Sequence, residues 1–452
     1  MTLDLPYHEL HRPQFHFSPR TNWTNDPNGL VYYQGEYHLF YQLNAKGIRW
    51  GPNTWGHAVS PDLVHWQQLG HAIEPDEYGW IWSGSAVVDH GNTTGFKDGP
   101  EDPVVAVYST GGVGRFGFPK NDVVQCIAFS NDRGRTWTKF AGNPVLPHVR
   151  AENRDPKVIW HEPTGQWVMA LYLDASDFAL FGSRDLKSWS RLCDVPLPGT
   201  GECPDFFPLA VDGDPGRVRW VFWGGGGLYR IGSFDGKTFH PETEPLKAEL
   251  GANGYAAQTW SDVPKADGRR IQVSWMAGGK YPSMPFNQQM TFPVTLSLRS
   301  FPEGDRLCRN PVREIAGLND APHEWRNETV TPDRRLVPPT RHDLFHITGS
   351  AVLHGASSWG LVLRGIELRY HAAERKFTYL GKAVPCDPGS EPLDFEVLLD
   401  RTSMELFACG GRVSASFCFL PEAWDDPVEV FADGGRVSFP SLCVRELSSA
   451  WR

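Results

Sequence analysis

Ser183-Arg184-Asp185-Leu186-Lys187-Ser188-Trp189 joins a serine to an aspartate two residues on and to an aromatic four residues after that. The pattern returns as Ser60-Pro61-Asp62-Leu63-Val64-His65-Trp66, as Ser130-Asn131-Asp132 running to Trp137, and as Ser233-Phe234-Asp235-Gly236-Lys237-Thr238-Phe239. Successive serines are 70, 53 and 50 residues apart, close to the length of a four-stranded propeller blade with its loops. Aspartate and glycine suit the turn, and the aromatic begins the next strand. Ser-x-Asp turns also occur in other β proteins, so the shared terminal aromatic carries the reading.

Working outward, runs rich in β-branched and aromatic residues precede each copy. Examples are Tyr37-His38-Leu39-Phe40-Tyr41, Val104-Val105-Ala106-Val107-Tyr108, Trp167-Val168-Met169-Ala170-Leu171-Tyr172 and Trp220-Val221-Phe222-Trp223. Gly, Pro and Asn bound them, as expected of short strands. A fifth unit follows at Tyr255–Trp260 and Ile271–Trp275. The expected fold is all-β, with a five-bladed β-propeller over residues 1–310, a linker at 311–322 and a β-sandwich over 323–452. The boundary rests on the helical-turn pattern Pro311-Val312-Arg313-Glu314-Ile315 and on Pro322, Pro332, Pro338 and Pro339 beyond it. Alternating runs such as Phe395–Asp400 and Arg412–Phe417 then read as sandwich strands.

The chain has 452 residues, 46 of them Gly and 37 Pro, with a formal net charge of -10. An acidic surface with no dense Lys/Arg run disfavours nucleic acid and anionic membranes as partners. The eight cysteines, Cys126, Cys193, Cys203, Cys308, Cys386, Cys409, Cys418 and Cys443, form no Cys-x-x-Cys pair, so no metal site is expected. The N-terminus lacks a basic region followed by an apolar stretch, and a cytoplasmic location is expected unless a leader was removed. No run is apolar enough for a transmembrane helix.

Three acidic signals stand far apart: Trp23-Thr24-Asn25-Asp26-Pro27-Asn28-Gly29, Arg154-Asp155-Pro156 and Glu202-Cys203-Pro204-Asp205. Singly, the first is a turn former, the second an ordinary ion pair and the third a loop acid. A propeller changes this, because corresponding ends of its innermost strands converge on one funnel. Asp26 would come from the first blade, Trp82-Ser83 from the second, Asp155 from the third, Glu202 from the fourth and Tyr255 from the fifth. Two carboxyl groups across a sugar acetal suit glycosidic cleavage. Turn donors after Asp26 are expected to keep it ionised as a nucleophile. Apolar Cys203 and Pro204 are expected to raise Glu202 as a proton donor, while Arg154 keeps Asp155 ionised. Trp23, Trp50, Trp82 and Trp275 fall near strand ends where a sugar face can stack.

With these residues in order, the chain resembles glycoside hydrolase family 32, the β-fructosidases that include invertases, levanases and exo-inulinases. Trp23–Leu30, Phe40-Tyr41-Gln42, Trp50-Gly51-Pro52, Trp55–Ser60, Trp82-Ser83-Gly84-Ser85, Arg154-Asp155-Pro156 and Glu202-Cys203-Pro204 carry the resemblance. It implies that Asp26 is the nucleophile, Glu202 the general acid/base and Asp155 the transition-state stabiliser. Asn25, Gln42, Trp50, Ser83 and Arg154 then line the fructosyl pocket, with Trp82, Cys203, Tyr255 and Trp275 beside them. Thr24 stands where a larger apolar residue is common, and Trp82 replaces Phe, which is expected to narrow the mouth. The implied activity is retaining, exo-acting hydrolysis of terminal β-D-fructofuranosides without a cofactor, with the two carboxyls about 5 to 5.5 Å apart. Tyr281–Met290 is closer to exo-acting fructan hydrolases than to sucrose-6-phosphate hydrolases, whose substrate would need added cations such as Lys46, Arg49 or Lys280. Fructosyl transfer, a non-catalytic carbohydrate-binding propeller and a homodimer remain open.

Overall fold

In the computed structural model, which describes residues 7–112, 114, 117–118, 120–390, 392–421 and 428–451, the recurring turn does the same job four times. Asp62 Oδ1 accepts from Ser60 Oγ and from the backbone N–H groups of Val64 and His65 at 2.9–3.1 Å. Asp132, Asp185 and Asp235 repeat the backbone contacts to Arg135 and Thr136, to Lys187 and Ser188, and to Lys237 and Thr238. The indoles of Trp66, Trp137 and Trp189 each donate to the carbonyl three residues back, at 3.0–3.1 Å. These bonds all close within seven or eight residues, so the turn forms from local sequence. Each one joins the third strand of a blade to its outermost strand: Thr54–Ser60 to Gln67–Gln68, Val124–Ser130 to Thr138–Lys139, Asp177–Ser183 to Ser190–Pro196, and Leu228–Phe234 to Phe239–Pro241.

Four blades therefore begin with the inner strands Asn22–Tyr33, Trp80–Val88, Arg154–His161 and Asp205–Val211. The fifth runs Gly254–Thr259, Arg270–Met276, Val294–Phe301 and Gly304–Pro311 and has no such turn. All are antiparallel meanders, and consecutive inner strands touch around the ring. Packed between neighbours, the inner strand Trp80–Val88 is buried on both faces apart from half-buried Trp82. Closure comes where Phe286–Asn287 pairs in parallel with Asn22–Trp23, and where Ser261 exchanges backbone bonds with Leu30 and Tyr32 at 2.9 Å.

A short 3₁₀ helix, Arg313–Leu318, leads into the sandwich. Its first strand, Asn319–Val330, starts within the stretch read from sequence as linker. Pro322 is tolerated because this strand forms a sheet edge, pairing only with Arg436–Leu447. The six-stranded sheet packs on a five-stranded sheet ordered 382–385, 376–379, 366–371, 358–363 and 429–433. Trp359, Leu361, Phe395, Val397, Leu406 and Phe439 fill the space between them. Among the described residues no helix is long and apolar enough to cross a membrane.

Candidate active site

The funnel end of the inner strands is irregular in one repeated way. Thr24 to Pro27 spans three residues opposite two on the next strand, and so do Ile81 to Gly84, Arg154 to Lys157 and Tyr255 to Gln258. At this end the inner strands of the first, second, third and fifth blades thus each carry an extra residue, a β-bulge that re-aims side chains away from the alternating pleat. Asn25 and Asp26, Trp82 and Ser83, and Asp155 all sit on these bulges. In the fourth blade Glu202 and Cys203 precede the inner strand with φ of 59° and 43°, and Asp155 has φ of 63°. Left-handed backbone at a non-glycine residue costs on the order of 1–3 kcal/mol and persists only where surroundings enforce it. At Asp155 they do: its N–H donates to Ser109 Oγ, and its Oδ2 accepts from Cys203 N–H, both at 3.0 Å.

These segments enclose a cavity of about 240 Å³. Apart from Trp23, its lining brings together the pocket residues expected from sequence: Asn25, Asp26, Gln42, Trp50, Trp82, Ser83, Arg154, Asp155, Glu202, Cys203, Tyr255 and Trp275. Asn53 and Glu152 also line it and were missed. Both flank recognised signals, Asn53 just after Trp50-Gly51-Pro52 and Glu152 two residues before Arg154. Asn53 is 2% exposed, and its Oδ1 has no hydrogen-bond partner among the described residues. Trp23, which donates from Nε1 to Asn25 Oδ1 at 3.0 Å, packs edge-on against Trp275 behind the lining.

Asp26 Oδ2 accepts from Ser83 Oγ at 2.5 Å and faces Cys203 Sγ at 3.7 Å. The Asn28 amide, oriented by its network, accepts from Gln42 N and Nε2 at 3.0 Å and donates to Ser83 Oγ at 3.3 Å. Glu202 accepts two strong bonds, from the Tyr255 hydroxyl and from Arg154 Nη2. Arg154 also bonds Glu152 Oε2 at 3.1 Å and lies over the Tyr172 ring at 4.8 Å. Trp50, 42% exposed, stands at the rim edge-on to buried Trp80. Trp82 stacks on Trp80 and is locked by Nε1–H to Gly111 O at 3.0 Å.

The protonation expected from sequence is corrected at all three acids. Burial pushes Asp26 upward and Glu202 repels it further, against the bonds from Ser83 and Asn25. Burial likewise carries Asp155 up to about 7, because Arg154 only partly offsets burial and the charges of Asp26 and Glu202. Glu202 goes the other way: burial raises it, but Tyr255 and Arg154 together hold it below the usual glutamate value. Three close carboxylates titrate as one system, in which burial raises the two aspartates while Tyr255 and Arg154 hold the glutamate down. The closest donor atoms of Asp26, Asp155 and Cys203 lie within 4.8 Å of one another. Cys203 Sγ bridges the two carboxylates at 3.7 and 3.5 Å, its thiol pushed well up by burial and by the three acids.

The N-terminal domain of Glycosyl hydrolases family 32 matches residues 16–311, and the C-terminal domain of that family matches residues 363–446. The chain belongs to glycoside hydrolase family 32. This family 32 chain is 37% identical to a levanase of Bacillus subtilis (strain 168), over 98% of its own length and 72% of the relative's. It is 28% identical to the extracellular exo-inulinase of Aspergillus ficuum, over 98% and 96% of the two chains. The crystal structure of exo-inulinase from Aspergillus awamori superposes with a TM-score of 0.89 at 25% identity, covering 98% of this chain and 100% of that one. As a family 32 member the protein is a glycoside hydrolase, and its acids lie where its propeller funnel opens.

Proposed function

We propose that the protein is a retaining exo-β-fructosidase that removes terminal fructosyl units from fructans such as levan and inulin, and from sucrose. The observation that carries this reading is the enclosed cavity in which acids from three blades meet. Its volume of about 240 Å³ lies below the about 300–1,000 Å³ of sites for drug-sized ligands. That suits one sugar unit entering end-on, with the rest of the chain outside against Trp50 and Trp82.

In this reading Asp26 attacks the anomeric carbon and forms a covalent fructosyl-enzyme, while Glu202 protonates the leaving oxygen and later deprotonates the attacking water. Glu202 needs the proton at the start. An entering sugar would contribute to this by excluding water and by drawing Arg154 and Tyr255 toward its hydroxyls, both of which raise Glu202. Asp155, held at its bulge, accepts from ring hydroxyls and stabilises the oxocarbenium-like charge. The unpartnered Asn53 Oδ1 is a further acceptor for a sugar hydroxyl. Among the described residues Arg154 is the one cationic side chain lining the cavity, and it already serves Glu202 and Glu152. This disfavours a phosphorylated substrate. The extracellular relative supports action on polymer outside the cell in place of the cytoplasmic expectation.

The test measures fructose release from levan, inulin and sucrose. Asp26→Asn should lower kcat by at least about 10³-fold with circular dichroism unchanged. Near-normal turnover in that variant overturns the assignment, and oligosaccharides longer than the substrate at high sucrose would mark transfer in place of hydrolysis.

A further inference from the structure

Cys386 and Cys409 belong to different sheets of the sandwich. Cys386 follows the outermost strand of the five-stranded sheet, Lys382–Pro385, and donates its N–H to Arg375 O at 2.8 Å. Cys409 opens the 3₁₀ turn between Ser403–Ala408 and Val413–Cys418 of the six-stranded sheet. Their sulfurs are 3.4 Å apart and in hydrogen-bonding contact, while both thiols are free. We propose that Cys386 and Cys409 are a modification site that closes to a disulfide, stapling the two sheets of the sandwich under oxidising conditions.

Access and reactivity both favour this. The pair lines a cleft of about 980 Å³ between the fifth blade and the sandwich, wide enough for a small disulfide. Cys386 is buried, whereas Cys409 is partly exposed, which makes Cys409 the attacking sulfur. The hydrogen bond from Cys386 holds the Cys409 thiol below its ordinary value against the effect of burial, and Arg412 adds to that hold. Arg412 is fixed beside it by Glu303 at 2.9 Å and by the Asp387 carbonyl. A low-molecular-weight disulfide such as oxidised glutathione supplies the oxidising equivalents. The Cys409 thiolate attacks one of its sulfurs, a mixed disulfide forms and one thiolate leaves. Cys386 gives its proton to that thiolate and attacks Cys409 Sγ, releasing the second thiolate, which takes up from solvent the proton that Cys409 had lost. Two protein thiols and one small disulfide become one protein disulfide and two small thiols.

The pair also lies close to the contact between sandwich and propeller. Cys409 precedes the strand whose Ser414 and Ser416 carbonyls accept from Leu250 and Asn253 of the propeller at 2.9 and 3.1 Å. That propeller segment runs straight into Tyr255. Closing the loop from 386 to 409 should raise Tm by roughly 3–4 °C, from loop-closure entropy and the conversion to temperature for a chain of 452 residues, while fructose release stays within about twofold at 25 °C.

The experiment reduces the full chain, exposes it to oxidised glutathione, then unfolds and alkylates it. Intact mass should show six alkylated thiols of the eight, with a peptide pair joining 386 to 409. Cys386→Ser and Cys409→Ser should each lose the crosslink and the gain in Tm. Eight alkylated thiols, a lasting glutathione adduct or a crosslink that survives in Cys409→Ser would overturn the proposal. A bond formed without a rise in Tm would overturn its role as a staple.

Discussion

At the scale of single residues, the pocket assigns opposite tasks to two short hydrogen bonds. Tyr255 holds Glu202 down and Ser83 holds Asp26 down. Removing either donor raises the carboxyl it served, and the two acids set different limbs of the pH profile: in the free protein, which kcat/KM reports, Glu202 is the lowered acid and Asp26 the raised one. In Tyr255→Phe the rise of Glu202 moves the acid limb of kcat/KM up. In Ser83→Ala the rise of Asp26 moves the alkaline limb up. Each should also lose about 10- to 100-fold in kcat through poorer positioning. Profiles on sucrose across roughly pH 3–9 distinguish these outcomes, and a Tyr255→Phe profile that moves down on its acid side would refute Tyr255 as the group depressing Glu202. The acids themselves were legible because each stands within two residues of a proline in a short signal. Their protonation was not, because Tyr255 lies 53 residues from Glu202 and Ser83 57 from Asp26. Adjacent Cys203 and Pro204 pointed to a raised Glu202, whereas the partners that decide its state come from other blades.

At the scale of elements, the aspartate turns were legible for the reason the bulges were not. A turn closes on its own seven or eight residues, whereas a bulge exists only relative to the partner strand, and nothing in Trp82-Ser83-Gly84 announces that three residues will face two. Gly84 marks where this register is enforced. A Cβ there would meet the Val107 carbonyl oxygen at 2.1 Å and Tyr108 Cα at 2.7 Å. Backbone cannot yield as a flexible side chain can, so Gly84→Ala must lift the inner strand of the second blade off its neighbour. Ser83 would lose its aim at Asp26. Ser85, whose Oγ donates to Pro156 O and accepts from Val158 N–H at 2.9 and 3.0 Å, would loosen the seam with the third blade. Gly84→Ala should cost about 1–3 kcal/mol and lower kcat more than it raises KM. Urea unfolding and steady-state kinetics read the two effects, and a variant with unchanged stability and kcat would show that the bulge is not held by this contact.

At the scale of the whole molecule, propeller and sandwich are locked by a buried charge that neither domain holds alone. His16 comes from the segment before the first blade. Its Nδ1 meets Asp400 at 2.8 Å and its Nε2 meets Glu405 at 2.7 Å, both acids on the sandwich. Asp400 also accepts the N–H groups of Gln14, Phe15 and His16, and Glu405 accepts that of Phe292 from the propeller. Burial alone would depress His16, but the two carboxylates outweigh it and bring it up to about 9. A group raised on folding stabilises fully below its unfolded value, near 6.5, and loses that contribution as pH climbs through its folded value. The imidazolium should therefore contribute about 3 kcal/mol at pH 6, decline from pH 6.5 upward and be largely gone above pH 9. Removing one partner of a buried pair leaves the others uncompensated, so His16→Gln should be less stable than wild type near neutrality. The gap in Tm should narrow steadily between pH 6.5 and 9.5 as the wild-type histidine loses its proton. Thermal unfolding of both proteins across that range checks this, and a gap that stays constant with pH would show that His16 is held neutral.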